Sequence, residues 1–235
     1  MISEAIILAG GLGTRLRSSV PDLPKCMAPV AGKPFIAHVA GYCLQAGIER
    51  LIFALGYKSD YFSEFLDQYL PPGTYQVSTE EEPMGTGGAI RLACSHVKNT
   101  HAMVLNGDTL FRIDVKGLSG LHLKEHADCT LCLKPMHDFD RYGAVELDKD
   151  RQVTNFREKQ FFSRGLINGG VYMLNASKFL QEQLPAKFSF EKDYLEKMVG
   201  HRRFFGLVQD SYFIDIGIPE DYRRAQSELA AAASS

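Results

Sequence analysis

Ala5-Ile6-Ile7-Leu8-Ala9-Gly10-Gly11-Leu12-Gly13-Thr14-Arg15-Leu16 stands near the amino terminus, and its reading decides the fold. Ala5 to Leu8 is a short apolar run with two β-branched residues, which reads as a buried strand. The strand empties into a loop with three glycines. Glycine admits positive φ and close backbone approach, so successive N–H groups can aim at one anion. Arg15 lies in the loop, and Lys25 follows between Pro24 and Cys26. A surface turn with two solvated cations is the competing reading. Strand, glycines and paired cations arriving together argue against it.

Working outward, the chain alternates buried runs with helical patterns. Pro34 opens a helix that Gly47 closes. Leu51–Leu55 reads as a second buried strand. Ser59 and Asp60 start a helix carrying Phe62, Phe65, Leu66 and Tyr69 at i, i+3, i+4 and i+7. Tyr75–Thr79 is a short strand, Ala89–His96 is helical, and Ala102–Leu105 is another buried strand. This alternation predicts an α/β fold with a single-domain, doubly wound, mostly parallel sheet. The loops at Gly10, Glu80 and Asn106 all follow strands, so they are expected to rim one crevice. In the second half, Thr130–Leu133, Ala144–Leu147, Val153–Arg157 and Gly170–Leu174 read as strands added antiparallel. Helices are expected at Ala176–Gln183, Glu191–Val199 and Glu220–Leu229. Residues 1–229 are read as one domain and 230–235 as a disordered tail.

Composition narrows the class. The chain has 235 residues, 45% hydrophobic and 23% charged, with a net charge of −2. Such a balance argues against a nucleic-acid or membrane surface. No apolar run reaches membrane-spanning length, and Met1-Ile2-Ser3-Glu4 lacks the basic start of a signal peptide. Five scattered cysteines suit a reducing cytoplasm rather than a disulfide framework. Cys129 and Cys132 stand three apart on an expected strand, so they face opposite ways and cannot share a metal. His122 and His126, at helical spacing, read as a solvated helix face.

Several motifs carry possible chemistry. Asn106-Gly107-Asp108 ends a buried strand; by itself it fits an Asx turn as well as a metal ligand. Phe213-Ile214-Asp215-Ile216-Gly217 repeats the arrangement of apolar strand, carboxylate and glycine. Glu80-Glu81-Glu82-Pro83-Met84-Gly85-Thr86-Gly87-Gly88 combines an acidic cluster with three glycines, which permit close backbone approach. The first loop is no P-loop, and Leu16 replaces the third glycine of the dinucleotide fingerprint.

The pattern Gly10-Gly11-x-Gly13-Thr14-Arg15-Leu16, followed by Pro24-Lys25-x-x-x-Pro29-Val30-x-Gly32-Lys33-Pro34, resembles the sugar-1-phosphate nucleotidyltransferases. The resemblance covers the whole chain. It implies a Rossmann-like, glycosyltransferase-A-like sheet and an enzyme that joins a nucleoside triphosphate to a sugar 1-phosphate, releasing pyrophosphate. It implies catalytic roles for Arg15, Lys25 and Asp108, and a Mg²⁺ ion held by Asp108 and Asp215. The implied nucleotide site comprises Leu8, Ala9, Gly10, Gly11, Gly13, Thr14, Arg15, Lys25, Glu80, Gly85, Thr86, Asn106 and Asp108. The implied sugar-phosphate site comprises Gly143, Glu158, Lys159, Asn168, Tyr172 and Lys192. By themselves, Glu158 and Lys159 read as a surface ion pair.

The family reads its base with the residue five ahead of Gly85, which is Glu80. A carboxylate only accepts hydrogen bonds. The Watson–Crick edge of guanine offers two donors, whereas uracil and thymine offer one donor flanked by acceptors. Glu80 therefore points to GTP. Leu12–Pro34, Ser189–Asp193 and Phe213–Tyr222 further resemble the bacterial guanylyltransferases that act on heptose 1-phosphate. Mannose 1-phosphate, or a UTP-dependent reaction, is the alternative, since heptose and mannose share their ring stereochemistry. A catalytically silent nucleotide-sugar sensor is a remoter reading, although such a protein could dispense with Arg15, Lys25 or an aspartate. Homo-oligomerisation is left open by the sequence.

Overall fold

The computed structural model describes residues 2–10, 23–56, 60–157 and 160–233. In chain order the elements are β1 (Glu4–Leu8), a 3₁₀ turn (Lys25–Met27), β2 (Pro29–Val30), β3 (Lys33–Pro34), α1 (Phe35–Gln45), β4 (Arg50–Leu55), α2 (Asp60–Tyr69), β5 (Tyr75–Thr79) and α3 (Gly85–Cys94). There follow β6 (His101–Asn106), β7 (Thr109–Phe111), α4 (Val115–Lys124), β8 (Cys129–Phe139), β9 (Ala144–Leu147), β10 (Val153–Arg157) and β11 (Phe162–Asn175). The chain continues with α5 (Ala176–Phe179), a π-helical segment (Phe190–Glu196), β12 (Phe204–Val208), β13 (Phe213–Asp215) and α6 (Pro219–Ala233).

The main sheet runs β10-β9-β11-β6-β1-β4-β5, with β8 and β12 continuing beyond β11. Strands β6, β1, β4 and β5 are parallel. Their carboxyl ends share one edge, as the alternation of elements predicts. Ile7 belongs to the apolar core on one face of the sheet and Ile6 to the core on the other. A strand buried on both sides has no polar face to show, which is why Ala5–Leu8 reads as a continuous apolar run. The same alternation puts Cys132 in the first core and Cys129 in the second, as their spacing requires. At the loop edge, a Cβ on Gly10 would stand 2.8 Å from Gly56 N, and one on Gly56 would stand 2.9 Å from Gly10 O. The chain leaving β1 thus crosses the chain leaving β4, backbone against backbone.

Some elements depart from expectation. Helix α3 begins at Gly85, so the glycine motif is the helix's first turn rather than a loop. Helix α5 is a single turn, and α6 runs past Leu229 to Ala233. Strand β11 is far longer than Gly170–Leu174; its first half pairs with β9 and its second half with β6. His122 is not on a solvated face. It is fully buried, with ring nitrogens on Thr130 Oγ1 (2.9 Å) and His101 Nδ1 (3.0 Å), and burial pushes its pKa down to about 3. His126 lies beyond the end of α4, at φ +47°.

Glu4 anchors the far edge of the sheet. It is 2% exposed, and its carboxylate accepts from Arg50 Nη1 (2.6 Å), Asn99 N (2.8 Å), Asn99 Nδ2 (2.8 Å) and Lys98 N (3.0 Å). Burial alone would raise its pKa, but these donors outweigh burial and hold the carboxyl below its ordinary value. A depressed carboxyl stabilises the fold above its unfolded pKa, and that contribution fades as pH falls through the folded value. Glu4→Gln should therefore cost about 3 kcal/mol at pH 7, the scale of breaking a buried pair. Urea midpoints measured down to about pH 3 should show the gap between wild type and variant closing; a gap independent of pH contradicts the assignment.

Candidate active site

Lys25 is the hub of the loop edge. Its Nζ donates to Asp108 Oδ2 at 2.6 Å and to Asp215 Oδ1 at 3.1 Å. The lysine side chain is 15% exposed. Burial by itself would drive its proton off, but the two carboxylates more than compensate, and its pKa lies above the ordinary lysine value.

Three pieces of backbone bring these groups together. Asp108 follows β6, where Gly107 N donates to Leu8 O at 2.8 Å. A Cβ on Gly107 would meet that oxygen at 2.7 Å, so glycine lets the turn press onto the end of β1. Strands β7 and β13 pair antiparallel, with Asp215 opposite Thr109, and Ile216 N donates to Asp108 O at 3.1 Å. This two-stranded ladder carries Asp215 to Asp108. Lys25 comes in on the 3₁₀ turn, and α6 holds the chain that follows. Tyr222 OH (2.7 Å) and Gln226 Nε2 (2.6 Å) donate to Pro29 O, and Gln226 Oε1 accepts from Ala31 N at 2.9 Å. Cys26, buried beside Lys25, points its thiol at Ala9 O (3.5 Å), and burial pushes the thiol pKa up, out of the reactive range.

The other expected residues fall around this hub. Leu8, Ala9 and Gly10 lie at the end of β1. Gly11, Gly13, Thr14, Arg15, Glu158 and Lys159 lie outside the described residues. Asn106 ends β6 and touches the β11 bulge: Gly170, at φ +70°, has room only for hydrogen against Asn106 Nδ2. The bulge lies between Asn168 and Tyr172. Asn168 N donates to Gly143 O at 2.9 Å, which brings those two expected sugar-side residues together. Tyr172, expected among the sugar contacts, is 1% exposed and offers a ligand almost no surface; its hydroxyl instead accepts from Asn168 Nδ2 at 2.7 Å. Glu80 follows β5, and partial burial raises its carboxyl pKa. The hydroxyl of Thr86 is committed within the protein, donating to Glu191 Oε2 at 2.7 Å and accepting from Phe190 N at 2.9 Å. Lys192 stands in the first turn of the π-helical segment, where Ser189 Oγ caps its N–H.

A profile of the nucleotidyl transferase family matches residues 4–232. The chain belongs to that family. This nucleotidyl transferase is 47% identical to a D-glycero-alpha-D-manno-heptose 1-phosphate guanylyltransferase of Aneurinibacillus thermoaerophilus, over 96% of this chain and 98% of that one. It is 35% identical to a mannose-1-phosphate guanylyltransferase of Mycobacterium tuberculosis, over 96% of this chain but 64% of the other. Its fold superposes on the crystal structure of HddC from Yersinia pseudotuberculosis complexed with GMP-PN, with a TM-score of 0.86 and 38% identity, covering 97% of this chain and all of that one.

Residues to which the sequence reading gave no role of their own are those that support the hub: Gly217, Tyr222 and Gln226. A Cβ on Gly217 would lie 2.9 Å from both Lys25 Nζ and Asp215 Oδ1. Those atoms are the free ends of flexible side chains and can give way. A Cβ on Gly107 meets backbone, which cannot. Gly217→Ala should therefore leave the urea midpoint nearly unchanged and lower turnover by displacing the ammonium. Gly107→Ala should cost about 1–3 kcal/mol of stability, as overpacking does. Equal stability losses in the two variants contradict this division.

Proposed function

We propose that this enzyme transfers a guanylyl group from GTP to a sugar 1-phosphate, with D-glycero-α-D-manno-heptose 1-phosphate as its first substrate, giving a GDP-sugar and pyrophosphate. The observation that carries the reading is one ammonium held between Asp108 and Asp215 at the carboxyl edge of a parallel sheet. The reaction class follows from the family, and the sugar from the 47% identity to a heptose enzyme over nearly the full length of both chains.

The donor set also suits a hard divalent cation. Two carboxylates meet there, and among the described residues no larger cluster of His, Cys, Asp or Glu could hold a metal. Mg²⁺ takes one or two protein carboxylates and leaves its other positions to phosphate and water. Asp108 and Asp215 would hold it, and it would supply neutralisation of phosphate charge.

Phosphoryl transfer asks a protein chiefly for positioning and charge neutralisation. The Lys25 ammonium, protonated throughout the neutral range, exchanges a carboxylate for phosphate oxygens and draws the α-phosphate and the incoming sugar phosphate together. A sugar phosphate oxygen then attacks the α-phosphorus in line, and pyrophosphate departs toward Arg15. Glu80 accepts from N1–H and N2–H₂ of guanine. Asn168, braced by Tyr172, and Gly143 meet the sugar, with Glu158, Lys159 and Lys192 on its phosphate side. Residues 1–229 act as one catalytic domain. No helix among the described residues is long and apolar enough to cross a membrane, and a cytoplasmic enzyme would meet GTP directly.

Pyrophosphate release should be fastest with GTP and heptose 1-phosphate, slower with mannose 1-phosphate, and weakest with UTP. Faster release with UTP than with GTP rejects the base assignment. Lys25→Ala should lower kcat about 100-fold or more, the scale of losing one preorganised charge, without unfolding the protein. Glu80→Gln should lower kcat/KM for GTP about 10-fold or more, as loss of a charged hydrogen bond does, and narrow the preference over UTP.

A further inference from the structure

The glycines of the 85–88 motif are filled by protein. A Cβ on Gly85 would meet Phe188 O at 2.6 Å, one on Gly87 would strike the Phe188 ring, and one on Gly88 would meet Ala186 O at 2.7 Å. The segment from Leu184 to Asp193 lies across the first turn of α3 like a strap. Two backbone hydrogen bonds of 3.0 Å fasten it, Phe188 N to Met84 O and Gly87 N to Phe188 O. Arg91 donates to the carbonyls of Leu184 and Pro185 and covers the Phe188 ring.

The strap ends in a clasp of side chains. Thr86 Oγ1 and Ser189 Oγ both donate to Glu191 Oε2, at 2.7 and 3.0 Å. Thr86 Oγ1 in turn accepts from Phe190 N, and Ser189 Oγ accepts from Lys192 N at 3.2 Å. On one side the linkage reaches Glu80, whose carboxylate accepts from Met84 N at 3.4 Å. On the other, the Phe190 ring, next to Glu191 in the chain, meets the Tyr172 ring edge-on at 5.1 Å, and the Tyr172 hydroxyl holds Asn168. Residues proposed to read the base and residues proposed to seat the sugar phosphate are therefore joined through hydrogen bonds, the chain itself and one ring contact. Thr86 is committed at both ends of its hydroxyl and serves the clasp through it.

The geometry points to the Thr86–Glu191 hydrogen bond as a positioning contact that makes the base-side helix and the sugar-side strap one unit, so that seating one substrate orders the site for the other. This rests on the guanylyltransferase reading above. Glu191 acts here through Thr86 and Ser189. The pair is partly solvent-exposed, so water competes for it and the expected effect is smaller than for a buried charged hydrogen bond.

The test uses Thr86→Val, Thr86→Ser and Glu191→Gln. Thr86→Val should raise KM for GTP and for the sugar 1-phosphate together, each about fivefold, and Thr86→Ser should restore both. Glu191→Gln should behave like Thr86→Val, and the double variant should be no worse than either single one. In hydrogen exchange, GTP should slow the amides of residues 186–193 in the wild type and not in Thr86→Val, a readout independent of turnover. A shift in only one KM, additive single effects, or equal protection in wild type and variant overturns the inference. A lowered melting temperature with both KM values unchanged reduces the clasp to a structural contact and also overturns it. If the wild type releases no pyrophosphate with any substrate pair, the activity reading fails, and the exchange experiment still decides the clasp.

Discussion

Everything at the loop edge depends on one partly buried ammonium held by two carboxylates. Taking Lys25 out of water favours losing its charge, and Asp108 with Asp215 reverses that preference. The reverse holds too: without the lysine, two acids would face each other in a partly dry crevice, a costly arrangement. The fold is arranged to make this meeting happen. β6 delivers the first acid, the β7–β13 ladder delivers the second, and the 3₁₀ turn delivers the base. Each comes from a different part of the chain, and none is placed by its own local sequence.

That division explains what could be read in advance. The parallel half was legible because its strands are buried on both faces and so appear as continuous apolar runs, Ala5–Leu8 and Leu51–Leu55 among them. Lys25, Asp108 and Asp215 stood out as a cation beside glycines and two strand-end carboxylates, and it was the family resemblance that gave the two acids a shared role. The structure brings both acids onto the lysine. The shortest elements were the hardest to read: β7, with three residues, is too short to show a period, and β13 stood out only through the carboxylate that ends it. Helix α4 contains Gly117 and Gly120, which weaken a helix signal, while its start is secured by the Asp114 side chain capping Gly117 N.

The glycines of residues 85–88 misled for a related reason. Glycine is a poor helix former, so the stretch read as a loop open to ligand. Packing overrides propensity here, because only hydrogen fits between the first turn of α3 and the backbone at Phe188. His122 is the same lesson in a polar residue. Its helical spacing matched a wet face, but Thr130 and His101 satisfy both ring nitrogens inside the protein. Local pattern shows what a residue could do alone; it does not show which partner a distant strand will bring.

The clamp of α6 on Pro29 and Ala31 joins residues 193 to 197 positions apart. Contacts of such long separation form slowly, because the loop between them must close first. The lysine turn is secured by that distant helix, so the charge cluster is among the last features a refolding chain completes.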